Sequence, residues 1–514
     1  MRFKNVLTSL PDAVAVTPGD QAISSVAYDS RLVQPGGLFV AMRGFHVDGH
    51  AYIPAALAAG AVAVVFEDEA AAPLLKNVAA ARVANARAAL APIAAAFYRH
   101  PGQQLQVIGI TGTKGKTTTS TLASAVLDSG NHRSGLITTV DFKVGERWWA
   151  NETRQTTPEA LEIQALLREM ADNNCDYAVV ESSSHALSPG WNRLGGCEYD
   201  VAVLTNITHE HLDYHGTFEQ YRADKAELFR MLETSVQEKT VRGYQVRPQK
   251  TAIVNLDDPN AQFFLDSAPH ARVLTYAVEH AAADVRAVDI VAIRTGLAFT
   301  VLTPHGQRRL ALAMVGSFNV PNVLAAVCIG LSQGITLDDC ARALEHAPVV
   351  RGRMAMIDEG QPFTVVVDYA HNPDSFEKLF AEMRPLTEKR LIAVFGSAGE
   401  RDREKRAIQG AIAARFCDLL VLTDEDPRGE DRNTIIAEIA AGVEQAGKRE
   451  GSGYLRIPDR AAAIRAAFAH ATPGDIVLLL GKGHEGSIIY AHGKQPWDEA
   501  TEARAALAEL GFVI

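Results

Sequence analysis

The run Gln106-Val-Ile-Gly-Ile-Thr-Gly-Thr-Lys-Gly-Lys-Thr-Thr-Thr119 constrains the fold more than any other stretch of the chain. Residues 107–110 form a short β-branched run that reads as a buried strand, and a helix-period segment to about Leu127 follows the turn. Gly112 and Gly115 let the backbone curl so that successive N–H groups face one centre, and the helix adds the positive end of its dipole. Such a turn suits the phosphates of a nucleoside triphosphate, with Lys116 reaching the outer phosphates and Thr117 a magnesium ion. The spacing departs from GxxxxGK[ST], because Ile110 stands where the first glycine belongs. A glycine-rich turn that binds nothing is the plainer alternative.

A chain of 514 residues is too long for one core, and about three domains are expected. The formal charge of −11 argues against a general nucleic-acid binder, and 47% apolar with 22% charged residues describes an ordinary globular protein. Cys175, Cys197, Cys328, Cys340 and Cys417 are scattered without a CxxC pair, which suits a reducing compartment. The N-terminus has too short an apolar run for a signal peptide, and no apolar stretch reaches membrane-spanning length. The expectation is a cytoplasmic protein with no membrane span.

Residues 1–102 alternate short apolar runs, Gly-rich turns and Ala-rich helical stretches, as a small α/β domain would. Ser30, Arg31, Asp48 and His50 could hold a polar ligand there, although a solvated turn explains them better when they are taken alone. Across 103–343 strands are expected at 106–110, 177–181, 201–204 and 252–255, in a mainly parallel sheet with both faces covered. The polar segment 233–250 reads as a surface insertion, and 281–307 as antiparallel strands. Residues 344–514 repeat the α/β rhythm, with strands at 364–368, 391–395, 419–422 and 476–480. Each of these ends in a polar loop: Asp368-Tyr-Ala-His-Asn-Pro-Asp374, Gly396-Ser-Ala-Gly-Glu-Arg-Asp402, Thr423-Asp-Glu-Asp-Pro-Arg428 and Gly481-Lys-Gly-His-Glu485. Ligands of parallel sheets bind beyond the carboxyl ends of the strands, so a second binding site is expected at these loops.

Three segments between 179 and 225 carry groups that act on phosphate. Glu181 ends an apolar strand beside the phosphate turn and could hold Mg²⁺, or be an ordinary strand-end acid. Thr205-Asn-Ile-Thr-His-Glu-His-Leu-Asp-Tyr-His215 is rich in histidine, but HExxH is absent, which favours a hard cation or substrate phosphate over zinc. Lys225 lies within a helical stretch and from periodicity alone is a solvated lysine. Ser183, Ser184 and His185 lack the glycines of a nucleophile elbow and read as substrate ligands.

Taken in order, the phosphate turn, Thr-Thr-Pro (156–158), Glu-x-Ser-Ser-His, the Glu-His-Leu-Asp-Tyr-His segment, Asn-x-Asp-Asp (255–258), Gly-x-Phe-Asn-x-x-Asn, Gly-Arg-Met (352–354), Asp-Tyr-Ala-His-Asn-Pro-Asp and Gly-Lys-Gly-His-Glu resemble the Mur ligases of peptidoglycan synthesis. Within them the chain is most similar to the MurE branch, which adds a diamino acid to UDP-N-acetylmuramoyl-L-alanyl-D-glutamate. The resemblance implies a UDP-substrate domain (1–102), a central P-loop ATPase (103–343) and a Rossmann-like domain for the incoming amino acid (344–514). It implies that Ser30 and Arg31 hold the nucleotide end of the substrate, and Thr156, Thr157, Ser184 and Arg193 its peptide end. Gly112, Thr113, Gly115, Lys116, Thr117 and Thr118 would cradle ATP, with Asn319, Arg353, Asp368, His371 and Asn372 closing around the rest. Thr117, Glu181, His211 and a carbamylated Lys225 would serve two Mg²⁺ ions, and Lys116, His211 and Lys225 would be catalytic. Partners would be small molecules only, and the expected state is a monomer.

Two departures stand out. Lys114 occupies a loop position where the family usually has Asn. Members that use meso-diaminopimelate carry Asp-Asn-Pro-Arg, where this chain has Glu425-Asp426-Pro427-Arg428; Arg401, Gly481 and Glu485 match the remaining contacts. Arg428 can clamp a distal carboxylate and favours diaminopimelate, whereas Asp426 favours an ammonium, hence lysine or ornithine. Folylpolyglutamate synthase, or a P-loop switch that turns over ATP without an amine acceptor, are the remoter alternatives.

Overall fold

The computed structural model describes all residues except 45–46, 154, 209–211, 295 and 513–514, with 212–213 described by backbone alone. The chain forms two compact units, one of residues 1–286, 302–306 and 321–344, the other of residues 287–301, 307–320 and 345–514.

The first unit holds a five-stranded sheet and the parallel strands around the phosphate turn. The five-stranded sheet orders Val14–Thr17, Ala79–Arg82, Ala61–Phe66, Gly37–Val40 and Ser25–Ala27, antiparallel at the first pair and parallel thereafter. Leu38, Val40, Val65 and Leu90 form its core, against the helix Ala86–Phe97. The phosphate-turn strand Gln106–Thr111 lies centrally in the second sheet, between Tyr199–Leu204 and Tyr177–Glu181. Ser134–Ile137 flanks it on one side, Thr251–Asn255 and Arg272–Ala277 on the other, all parallel. Registers of Glu181 with Ile110 and Leu204 with Thr111 bring three carboxyl ends to one rim. That rim is where a parallel sheet presents chemistry.

The segment 233–250 is largely exposed, as its polar sequence predicts, but two of its lysines are anchored inside. It forms a hairpin, Lys239–Val241 with Tyr244–Val246, whose Lys239 is buried together with Lys250 just beyond it. Lys239 Nζ donates to Asp200 Oδ2 (2.6 Å) and to Leu105 O (2.9 Å), and Lys250 Nζ to Asp200 Oδ1 (2.9 Å). Asp200 Oδ2 also accepts the N–H of Val107 (2.8 Å), which pins the start of the central strand. Burial draws the pKa of Lys239 down and Asp200 opposes it. Asp200→Ala would leave two buried ammonium groups without their shared carboxylate, so the first unit should lose about 3–5 kcal/mol. An unchanged urea-unfolding midpoint would contradict this account.

In the second unit Ala355–Ile357 pairs antiparallel with Thr364–Asp368, followed in parallel by Ile476–Leu480, Leu391–Phe395, Leu419–Leu422 and Tyr454–Arg456. Alternate residues divide between two cores: Val366, Leu478, Ala393 and Leu420 on one face, Val365, Val477, Ile392 and Leu419 on the other. A period of two with both faces apolar is the pattern of a parallel sheet covered by helices. The four expected strands coincide with those observed, and their polar loops share one edge. No described helix is long and apolar enough to cross a membrane.

Candidate active site

After Thr111 the chain turns through Gly112 and Gly115, and the helix Lys116–Asp128 begins with Gly115 at its N-cap and no side-chain cap. Gly115 has φ 85°, and a Cβ there would lie 2.2 Å from Asn322 Oδ1; a Cβ on Gly112 would lie 1.9 Å from Thr205 Oγ1. Only glycine fits both positions. An uncapped helix N-terminus in a tight turn leaves N–H groups for an anion. Thr113 Oγ1 is held by Tyr221 OH (3.0 Å) and by Thr208 N (2.9 Å), and Thr118 is buried in the first helical turn.

Lys116 Nζ donates to the carbonyls of Gly112 and Thr113, each at 2.9 Å. Lys225, expected from periodicity to be solvated, is instead 1% exposed and donates to the same Gly112 carbonyl at 2.7 Å. The helix Phe218–Thr234 turns it inward over the Tyr221 ring, 4.6 Å from the centroid. Two cationic side chains thus converge on one oxygen.

Glu181 is 1% exposed and accepts from Thr117 Oγ1 (3.0 Å), Thr139 N (2.9 Å) and Thr139 Oγ1 (3.0 Å). Among the described residues its partners are neutral donors, and no cation pairs with it. A buried carboxylate lacking a counter-charge is costly, and with the Thr117 hydroxyl beside it the oxygen set fits a hard divalent cation. Among the described residues no group of three His, Cys, Asp or Glu is placed to hold a metal. His211, expected as a metal ligand and catalytic group, lies outside the described residues.

A cavity of about 310 Å³ brings Lys116, Lys225, Thr156, Thr157, Ser184 and Arg193 together. Arg193 donates to Gln155 Oε1 (3.0 Å), Thr157 O (3.0 Å) and Glu159 Oε1 (2.6 Å), and Thr157 Oγ1 donates to Glu181 O (2.8 Å). Trp191 lines this cavity and a second one of about 430 Å³ that also contains Asn85, Arg87 and Tyr214. The guanidinium carbons of Arg87 and Arg193 lie 4.3 and 4.6 Å from its ring centroid. The sequence reading passed over Trp191, although an aromatic two residues before Arg193 was a usable signal; Arg87, in an Ala-rich helix, gave none. Ser30 and Arg31 sit on an exposed turn apart from both linings, with Arg31 closed on Asp29 at 2.6 Å. His50 is neither solvated nor turned to a ligand: Asp48 Oδ1 meets Nδ1 at 2.6 Å, and the N–H groups of Glu67 and Asp68 donate to Nε2.

In the second unit Asp368 accepts from the N–H groups of Met354 (2.9 Å) and Ala370 (2.8 Å); burial raises its pKa and Arg353 opposes that. The Arg353 guanidinium lies 5.0 Å from the Tyr369 ring, which also meets His371 and His484. Burial, with Arg353 nearby, pushes His484 down to about 3. His371 Nδ1 donates to Tyr369 O, Asn372 caps the helix Pro373–Leu386, and Asn319 donates to Val315 O.

At the polar loops that follow these strands Lys482, fully buried, donates to Asp426 (2.8 Å) and Glu485 (2.5 Å), and Ile489 N donates to Asp426 (2.9 Å). Lys482 is shared between Asp426 and Glu485, so it offsets the negative charge that Asp426 brings only in part. Arg428, with φ 54°, is tied by its N–H to Ile489 O, while its guanidinium has no carboxylate within ion-pair distance among the described residues. Glu425 is buried with Oε2 unpartnered, and Gly481, at φ 98°, leaves that oxygen room. Pro427 O accepts from Glu430 N, and Arg401 stands exposed on the neighbouring turn.

Three family models match in succession: "Mur ligase family, catalytic domain" over residues 22–98, "Mur ligase middle domain" over 110–330 and "Mur ligase, glutamate ligase domain" over 352–483. The UDP-N-acetylmuramyl-tripeptide synthetase of Roseiflexus sp. (strain RS-1) is 60% identical over 513 residues, covering 100% of both chains. The UDP-N-acetylmuramoyl-L-alanyl-D-glutamate–2,6-diaminopimelate ligase of Geobacillus kaustophilus is 40% identical, covering 99% of this chain and 100% of its own. A solved structure of a ligase of the latter name is 30% identical with a TM-score of 0.67, covering 96% of each chain. With an uncapped phosphate turn, a buried strand-end carboxylate and full-length relatives of this kind, the chain belongs to the Mur ligase family, ATP-dependent ligases that form amide bonds.

Proposed function

We propose that this chain joins a diamino acid, with meso-diaminopimelate favoured, to the D-glutamate γ-carboxylate of UDP-N-acetylmuramoyl-L-alanyl-D-glutamate. The observation that carries this reading is the convergence of Lys116, Lys225, Thr157, Ser184 and Arg193 on one cavity next to the Thr117–Glu181 pair. Phosphate-binding and peptide-binding groups then share a wall, as phosphorylation of a peptide carboxylate requires.

A carboxylate is a poor electrophile. Its oxygen attacks the γ-phosphorus of ATP, ADP leaves, and the acyl phosphate forms. The amine then attacks the acyl carbon, the nitrogen loses a proton, and phosphate departs to leave the amide. Lys116 and the uncapped helix terminus would stabilise charge on the transferring phosphoryl group, while Arg193 and Ser184 hold the peptide end. Magnesium, when bound at Thr117 and Glu181, supplies further neutralisation of phosphate charge. Ser30 and Arg31 would meet the uridine nucleotide. Lys225 as a carbamate would turn one of the two cations at Gly112 O into an anion, removing their mutual repulsion and offering oxygens to a second Mg²⁺.

Arg428 favours diaminopimelate, because its guanidinium has no carboxylate of its own among the described residues. Glu425 supports a second reading: its unpartnered Oε2 would suit the distal ammonium of lysine or ornithine. Parallel assays with UDP-muramoyl-dipeptide, ATP and each diamino acid decide between them. Diaminopimelate should give the highest kcat/KM. Phosphate release indifferent to both co-substrates would overturn the ligase reading.

A further inference from the structure

Ser184, His215 and Asp224 form a buried chain that the roles above leave unused in part, with exposures of 2%, 7% and 3%. Three segments meet there: Ser184 opens the short helix Ser184–Leu187, His215 ends Leu212–His215, and Asp224 lies one residue before Lys225 in Phe218–Thr234. Asp224 Oδ2 lies 2.7 Å from His215 Nδ1, and His215 Nε2 lies 3.0 Å from Ser184 Oγ. Asp224 Oδ1 accepts from Gln220 Nε2 at 2.8 Å. The rings of Tyr214, Tyr221 and His185 sit 4.6, 5.1 and 5.2 Å from the imidazole and confine its rotation.

For a neutral imidazole the sense of each hydrogen bond follows from the partners. A carboxylate only accepts, so His215 Nδ1 carries the hydrogen that faces Asp224. With the ring in its neutral form, Nε2 presents a lone pair to Ser184 Oγ, 3.0 Å away. Ser184 has one hydroxyl hydrogen and donates it there, which leaves Oγ with lone pairs alone for whatever enters the cavity that it lines.

We propose that His215 and Asp224 are positioning residues that make Ser184 an obligate acceptor for a peptide N–H of the UDP-linked substrate. This rests on the reading of the cavity as the site of the muramoyl-peptide. It excludes Ser184 from donating to a substrate carboxylate, so the γ-carboxylate is left to the cationic side of the cavity. It also places a specificity element directly before Lys225 on the same helix.

The test uses the full-length enzyme at saturating ATP and diamino acid, with UDP-muramoyl-dipeptide varied. Ser184→Ala should raise its KM about tenfold with kcat changed little, the loss of one hydrogen bond to substrate. His215→Gln should raise KM similarly in the wild-type background and add nothing to Ser184→Ala. Additive effects, or an effect of His215→Gln on kcat alone, overturn the proposal. Two ester analogues, each replacing one peptide N–H of the substrate by oxygen, give a reading that needs no histidine variant. One of them should bind the wild type about tenfold more weakly than the amide and bind Ser184→Ala no worse than the amide does. If neither ester discriminates, the acceptor role is wrong. A wild-type enzyme that does not respond to UDP-muramoyl-dipeptide at all contradicts the proposed function instead, so the two failures are distinct.

Discussion

Lys225→Ala is expected to lower kcat by roughly 10²–10³-fold, the loss typical of removing a group that stabilises transition-state charge. Lys225 Nζ and Lys116 Nζ both donate to the Gly112 carbonyl, at 2.7 and 2.9 Å. Two ammonium groups on one oxygen repel, and burial weakens the screening between them. Carbamylation, as proposed, would relieve this: the neutral Nζ attacks carbon dioxide, loses its proton and becomes an N-carboxylate. Lys225→Arg keeps the positive charge but cannot form the carbamate, and should be as impaired as the alanine variant. Added bicarbonate should restore neither. The wild type transferred to carbon-dioxide-free buffer should lose activity and regain it with bicarbonate. A fully active Lys225→Ala enzyme would sink the carbamate role.

Arg428→Ala is expected to cost about 2–4 kcal/mol in kcat/KM for diaminopimelate, or roughly 30- to 1000-fold, as when one partner of a desolvated charge pair is removed. Lysine and ornithine should be turned over at unchanged rates, since neither offers a distal carboxylate. KM for ATP and for the UDP-linked substrate should stay within about twofold, within the roughly half-kcal/mol scatter of independent sites. Arg428→Lys should recover part of the loss, because a single ammonium cannot match a bidentate fork. Equal loss with all three amines would mean that Arg428 supports its loop instead of reading the substrate.

Much of the fold was legible in the sequence because its signals are local. The strands Tyr177–Glu181, Thr364–Asp368, Leu391–Phe395, Leu419–Leu422 and Ile476–Leu480 are unbroken apolar runs between polar loops. The glycines at 112 and 115 announced their turn in the same way. Burial of charge was harder to read. Lys225, Lys239 and Lys250 lie in polar, helical or loop-like sequence, and nothing within a few residues shows that Asp200 and Gly112 O await them. Lys482 escaped for the same reason: its partner Asp426 is 56 residues away. His215 and Asp224 were overlooked because their meaning lies in an arrangement with Ser184, from three separate segments.

The two-faced core of the second unit has an evolutionary consequence. Alternate residues of every parallel strand are committed to packing, Val366 and Leu478 on one side, Val365 and Val477 on the other, so the strands themselves have no surface left with which to recognise a substrate. On the reading proposed above, recognition would fall to the four loops at the carboxyl ends of these strands. Such loops can change residue by residue while the scaffold stays the same. Glu425 and Asp426 stand in one such loop. With the incoming amine read by those loops, as proposed, a lineage could alter the amino acid it adds through a few loop substitutions, without refolding the sheet beneath.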